Sequence, residues 1–292
     1  MKTQGLGAWL PRRRIRNPER VAVMFGENQH LTYAQLADGA ERVSAVLAER
    51  GVGAGDRVAF LGENSPDFLL TMFGTVRLGA VFVPVNTRLA GPEIAHVLRD
   101  SGAMVLIHDP GFDARLDEAA AEGVTPTHVI RTGVSGRDGA PGLARAIETV
   151  ATIPASASSD GDAPAAIVYT SGTTGRAKGA VLTHDNLTSV ALNTIIDYDV
   201  MSTDVALMIS PLFHVASLGM GALPILLKGG TLVLEKGFEA GRALDLIQRH
   251  RVTMISGVPT TYQLMADHPA WADSDVTSLR TLTCGGSAVP ER

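Results

Sequence analysis

One cysteine, Cys284, stands in 292 residues, so no intrachain disulfide can brace the fold. That scarcity suits a reducing compartment, and a cytoplasmic location is the expectation. Aromatic residues are few, at 5% against 45% hydrophobic residues overall, so the core has to be built from Ala, Val, Leu and Gly. This balance favours tightly packed α/β layers over a β-sandwich. No long hydrophobic run occurs: the longest, around residues 218–227, is about half a membrane span and contains Pro224. Neither sign of charge dominates, with 25 Lys and Arg against 30 Asp and Glu and a net charge of −5, so no nucleic-acid partner is expected. Met1–Leu10 lacks the sustained apolar run of a secretory signal. Arg12, Arg13, Arg14 and Arg16 follow it and read as the solvated basic face of a first helix, which allows at most peripheral membrane contact. H-E-x-x-H and C-x-x-C are absent, so no zinc site is indicated, and no metal-ligating residues are assigned. G-x-S-x-G is absent as well, which argues against an α/β-hydrolase.

What is present is a strand-then-helix rhythm. Thr32-Tyr33-Ala34-Gln35 matches a capping box, Leu36, Ala40, Val43 and Leu47 follow on one helical face, and Gly51 can stop the helix. Strands are expected at 57–61, 80–85 and 104–108, with helices opened by Ser65-Pro66 and spanning 92–100. Further strands are expected at 165–170, 180–183, 205–210, 231–235, 253–256 and 281–284. Helices are expected at 185–196, 218–227, 241–250 and 260–267, with Pro224 kinking or ending the second. Such alternation implies parallel sheets covered on both faces. The segment 154–164, rich in Ala, Ser, Asp and Pro, reads as a linker. The expected division is therefore an N-terminal αβ subdomain over 1–153 and a second over 165–292.

The most informative stretch is Tyr169-Thr170-Ser171-Gly172-Thr173-Thr174-Gly175-Arg176-Ala177-Lys178-Gly179. From Thr170 to Gly175 every residue is Thr, Ser or Gly, and the run follows an apolar strand. Glycines let backbone N–H groups approach an anion, hydroxyls add donors that rotate to suit phosphate oxygens, and Lys178 adds a mobile charge. The pattern is not the common P-loop, because Lys178 is preceded by Ala177 and followed by Gly179. The alternative reading is a polar turn between two strands, although such turns are usually shorter and carry Asn, Asp or Pro.

Tyr-Thr-Ser-Gly-Thr-Thr-Gly-x-x-Lys-Gly resembles the signature of the adenylate-forming superfamily, which includes acyl-CoA synthetases, luciferases and peptide-synthetase adenylation domains. One departure is Ala177, where that family usually has proline; the change should loosen the loop slightly. The resemblance continues through Leu31-Thr32-Tyr33, Gly55–Ala59, Leu78–Val81, Pro84-Val85-Asn86, Pro211-Leu212-Phe213-His214, Val258-Pro259-Thr260 and Gly285-Gly286-Ser287-Ala288. It implies two stacked parallel-sheet αβ subdomains, the second incomplete and the C-terminal domain absent.

It also implies roles. Thr170, Ser171, Gly172, Thr173, Thr174, Gly175 and Lys178 would hold the β- and γ-phosphates of ATP, with Lys178 also acting in catalysis. Gly285, Gly286 and Ser287 would lie against adenine. His214, with Phe213 beside it, would place the reacting carboxylate. Ala216 is small where related aromatic-acid ligases often carry a bulkier residue, which points to a longer or wider acyl group. Met220 and Gly257 are further candidates for the pocket wall. ATP, Mg2+ and coenzyme A are the implied co-substrates. The expected acid is a small-molecule carboxylate, a medium- or long-chain fatty acid foremost, while a homodimer is left open. An amino-acid or aryl-acid adenylation domain and a non-catalytic nucleotide- or acyl-binding module are the alternatives. The family's Tyr-Gly-x-Thr-Glu motif, ribose-binding Asp and C-terminal lysine do not occur before Arg292, so a truncated fragment with negligible complete ligase activity is the expectation.

Overall fold

The computed structural model describes residues 5–157, 159–170 and 176–286. In chain order the strands are β1 (Val21–Phe25), β2 (Gln29–Thr32), β3 (Arg57–Leu61), β4 (Val81–Pro84), β5 (Val105–His108), β6 (His128–Arg131), β7 (Pro164–Thr170), β8 (Lys178–Thr183), β9 (Val205–Met208), β10 (Thr231–Leu234), β11 (Met254–Gly257) and β12 (Thr281–Cys284). The helices are α1 (Trp9–Arg16), α2 (Tyr33–Ala48), α3 (Pro66–Arg77), α4 (Gly91–Ser101), α5 (Asp113–Ala121), α6 (Leu143–Thr149), α7 (His184–Asp197), α8 (Leu223–Lys228), α9 (Ala240–His250) and α10 (Pro259–Ala266).

They form two six-stranded sheets, ordered β6-β5-β3-β4-β7-β8 and β12-β11-β9-β10-β1-β2. The central strands are buried on both faces, as in Val58–Leu61 and Val81–Val83, and so read as continuous apolar runs. The layers alternate. Helices α4 and α5 cover the outer face of the first sheet, with Ile94, Leu98 and Leu116 packed on Ala59, Leu61 and Leu106. Helices α2, α3, α7 and α8 fill the space between the sheets, where one core joins Phe60 and Phe82 to Leu232 and Met208. Helices α9 and α10 cover the outer face of the second sheet.

Two expectations need correction. The sheets are not wholly parallel: β7 pairs with β8, and β1 with β2, in antiparallel fashion. Both pairs are joined by short connections, which can only return the chain alongside itself. Nor does one sheet precede residues 154–164 and the other follow. Strands β7 and β8 come after that segment and complete the first sheet, while β1 and β2 come before it and belong to the second. The segment itself is tied to α3, since Ala157 N–H donates to the Arg77 carbonyl and the Arg77 guanidinium to that of Pro154.

Local signals behaved as physics requires. Gln35 N–H donates to the Thr32 hydroxyl at 3.2 Å, and Thr32 N–H donates to the Gln35 side chain at 2.8 Å, which is the expected capping box. The expected helix over 218–227 is instead a π-helical turn, Ala216–Ala222, leading into α8. Pro224 has no N–H to give, and widening the turn ahead of it accommodates that gap. At the starts of β9, β11 and β12, the buried carboxylate of Asp204 accepts from Thr253 and Arg280, both at 2.8 Å. The basic first helix is partly tied down: the Arg13 guanidinium donates to the Leu227 carbonyl and that of Arg14 reaches Asp38 and Glu41. No helix among the described residues is long and apolar enough to cross a membrane.

Candidate active site

In open α/β sheets, ligands bind beyond the C-terminal ends of the parallel strands. Here both sheets deliver those ends to one cavity of about 970 Å³. Glu63 and Asn64 reach it from beyond β3, and Thr87 and Arg88 from beyond β4. From the second sheet come Ser210–His214 beyond β9, Lys236–Phe238 beyond β10, Val258 beyond β11, and Gly285 and Gly286 beyond β12; these residues line the same space.

The two sets of loops are knotted together by Asn64, which is 3% exposed. Its amide nitrogen donates to the carbonyls of Ser210 and Glu235 at 3.0 Å each, and its oxygen accepts from Leu212 N–H at 2.7 Å. A buried primary amide with both faces engaged fixes the Pro211–His214 segment against the first sheet. The sequence reading passed over Asn64. Its signal was a polar residue immediately ahead of the Ser65-Pro66 helix start.

Phe213, His214, Ala216, Met220 and Gly257 are brought together around the cavity. Phe213 is buried, and its ring centroid lies 4.5 Å from that of the exposed His214. Although the residue is exposed, partial desolvation of the imidazole against the cavity wall, and then the neighbouring Arg88 cation, hold the His214 pKa below its usual range, so the ring is neutral at neutral pH. Ala216 and Met220 project from the π-helical turn, a device that re-aims side chains at binding sites. Gly257 closes β11; a Cβ there would lie 3.0 Å from Thr261.

Gly285 N–H donates to the Gly257 carbonyl at 3.2 Å, and among the described residues nothing lies where a Gly285 side chain would stand. Gly286 has φ +80°, a conformation that favours glycine. A flat ring can therefore approach this backbone closely. Behind it, the Tyr262 hydroxyl donates to the carbonyls of Ile255 and Thr283, and burial pushes its pKa up to about 12. Tyr262 was also missed, because a tyrosine on a short helix carries no sign of what its hydroxyl will reach.

Thr170 and Lys178 face each other across the β7–β8 pair, and both are exposed. Neither lines the cavity. Strand β7 runs parallel to β4, and β4 to β3, so the loop leaves the first sheet at the end that carries Asn64 and Arg88. Ser171, Gly172, Thr173, Thr174, Gly175 and Ser287 lie outside the described residues. Among the described residues no group of three His, Cys, Asp or Glu side chains is disposed to hold a metal. The described residues therefore offer no ready-made magnesium site, and no step is derived through that ion.

Over residues 11–292 the chain matches the family described as AMP-binding enzyme. It is 44% identical to a feruloyl-CoA synthase of an Amycolatopsis species, an alignment covering 99% of this chain and 56% of that protein. It is 36% identical to the long-chain-fatty-acid–CoA ligase FadD13 of Mycobacterium tuberculosis, covering 89% of this chain and 51% of that one. The crystal structure of the N-terminal domain of FACL13 from Mycobacterium tuberculosis superposes with a TM-score of 0.90 at 34% identity, covering 99% of this chain and 71% of the other. The chain thus spans about half the length of the curated relatives it matches. A match running from residue 11 to residue 292, on a fold shared at that identity, leaves one assignment: the chain belongs to the AMP-binding enzyme family.

Proposed function

We propose that this chain forms the nucleotide- and acid-binding part of an AMP-forming acyl-CoA ligase whose acid carries an aromatic ring. The observation that carries the reading is the single cavity where the C-terminal ends of both sheets meet around Phe213, His214, Ala216, Gly257 and Gly285. In this chemistry a carboxylate oxygen attacks the α-phosphorus of ATP and pyrophosphate leaves; the thiol of coenzyme A then attacks the acyl carbon and AMP leaves. Charge gathers on phosphate oxygens in the first step. The hydroxyls and backbone N–H groups of 170–175, with Lys178, would meet that charge as prearranged donors. Neutral His214 orients the carboxylate without neutralising it, and Gly285-Gly286 takes the adenine plane.

Two features favour a ring-bearing acid over an unbranched chain. The relative identical at 44% is named for ferulate, against 36% for the one named for long-chain fatty acids. The cavity wall also mixes Tyr198, Ser256, Thr281 and Thr283 with Met208, Met220 and Met254. Hydroxyls along that wall suit an aromatic acid bearing oxygen substituents, whereas a methylene tail would leave them unpaired. The fatty-acid reading keeps one support, the small side chains at Ala216 and Gly257.

The test is calorimetry on the 292-residue chain with ferulate, with decanoate and with MgATP. Ferulate binding tighter than decanoate, together with MgATP binding, is expected. Decanoate binding tighter than ferulate would reverse the substrate assignment, and absence of MgATP binding would overturn the nucleotide assignment.

A further inference from the structure

Helix α4 belongs to the first sheet's outer layer, and nothing above gives it a role in binding. Two of its side chains nonetheless reach the stems of the loop between β7 and β8. His96 Nε2 lies 2.8 Å from the carbonyl oxygen of Ala177. A carbonyl only accepts, so the proton sits on Nε2. One turn further along the same face, Asp100 accepts a hydrogen bond of 2.7 Å from the Tyr169 hydroxyl. The Tyr169 ring meets that of His96 edge to face, with centroids 6.4 Å apart. It also lies across its strand partner Gly179, where a Cβ would come within 3.1 Å of the ring. Tyr169 stands just before the hydroxyl- and glycine-rich run, and Ala177 just after it.

We infer that α4 positions the chain on either side of 171–175: His96 through the Ala177 carbonyl, and Asp100 through the Tyr169 hydroxyl, fix these two stems and so the presentation of Lys178. The inference rests on the reading of 170–178 as a polyphosphate site. It also accounts for Ala177. A proline there would restrict the chain from within. Alanine does not, and the bond from His96 restrains the same residue from outside. His96 and Asp100 act through Ala177 and Tyr169; they are positioning residues, and stems held in place lower the cost of binding.

The experiment uses the full 292-residue chain as wild type, His96→Ala, His96→Gln, Tyr169→Phe and the double variant His96→Ala/Ala177→Pro. Backbone hydrogen exchange at 176–180 reads the anchor, MgATP calorimetry reads its consequence, and the thermal midpoint without nucleotide reports general damage. His96→Ala should raise exchange at the stem and weaken MgATP by about three- to tenfold, the scale of one hydrogen bond, with an unchanged midpoint. Tyr169→Phe should do the same to a smaller degree. His96→Gln, which keeps a donor, and the added proline should each recover most of the affinity. Unchanged stem exchange in His96→Ala overturns the inference whatever nucleotide does. Raised exchange with unchanged MgATP affinity overturns the positioning role alone, and raised exchange in His96→Ala beside a wild type that binds no MgATP removes the polyphosphate reading beneath it.

Discussion

The Pro211–His214 wall of the cavity and the chain on either side of 171–175 are held in opposite ways. Pro211–His214 is fastened by Asn64, a 3% exposed amide that spends its donors and its acceptor inside the protein. On either side of 171–175 the chain is held by a half-buried His96 and by a tyrosine hydroxyl bonded to an exposed carboxylate. Water competes for the second set and not for the first. The Pro211–His214 wall is therefore held as firmly as the core, whereas the anchors beside 171–175 stay open to competition from water.

Mutations at the two places should separate cleanly. The largest effect belongs to Asn64→Ala, which strands the Leu212 N–H and two carbonyls: about 3 kcal/mol of stability should be lost in urea unfolding. Tyr169→Phe in the same assay should barely move the midpoint, and equal losses would erase the contrast. Next comes Lys178→Ala, expected to weaken MgATP by about 1.5–3 kcal/mol, the scale of a charge-assisted hydrogen bond, with urea stability unchanged. Calorimetry checks it. Ala216→Trp should then cost about 1–2 kcal/mol in ferulate binding by filling the fixed wall, while MgATP binding stays as it was. A wall that yields and binds ferulate normally would show that it is not fixed.

The smallest effect is one of pH, and it separates buried anchors from exposed ones. His184 is fully buried, and its Nδ1 accepts from Leu6 N–H at 3.1 Å, so a second ring proton would have to displace that bond. Burial lowers its pKa from the ordinary 6.5. The unfolded chain then binds more protons than the folded one below that value. Stability is complete above about pH 6.5 and declines as the pH falls toward the lowered folded value. Melting from pH 7 to pH 5 should show the decline in the wild type, and a shallower one in His184→Gln, whose side-chain oxygen still accepts from Leu6.

Much of this was readable from residue order, for identifiable reasons. The capping box at Thr32 and Gln35, the Pro66 helix start and the buried runs of β3 and β5 are local, and local rules found them. Phe213, Ala216, Met220 and Gly257 were grouped by resemblance, and the fold does bring them to one cavity. Strand order was not readable, because the parallel pairing of Val23 with Leu232 joins segments whose sequence says nothing of each other. The linker-like composition of 154–164 suggested a boundary, yet strands of both sheets lie on each side of that segment. Asn64, Tyr262 and His96 escaped notice because a lone amide, phenol or imidazole shows its role only through the distant carbonyl it meets.

The weaving of the chain between the sheets has a kinetic consequence. Strand β1 emerges early in synthesis but has no parallel neighbour until β10 is made, and the first sheet waits for β7 beside β4. Contacts so distant in sequence close slowly, since the loop must be ordered before the pairing rewards it. Cutting the chain near residue 157 should thus yield two pieces that each lack strands of both sheets, and neither alone should give the sharp, cooperative melt of the intact chain.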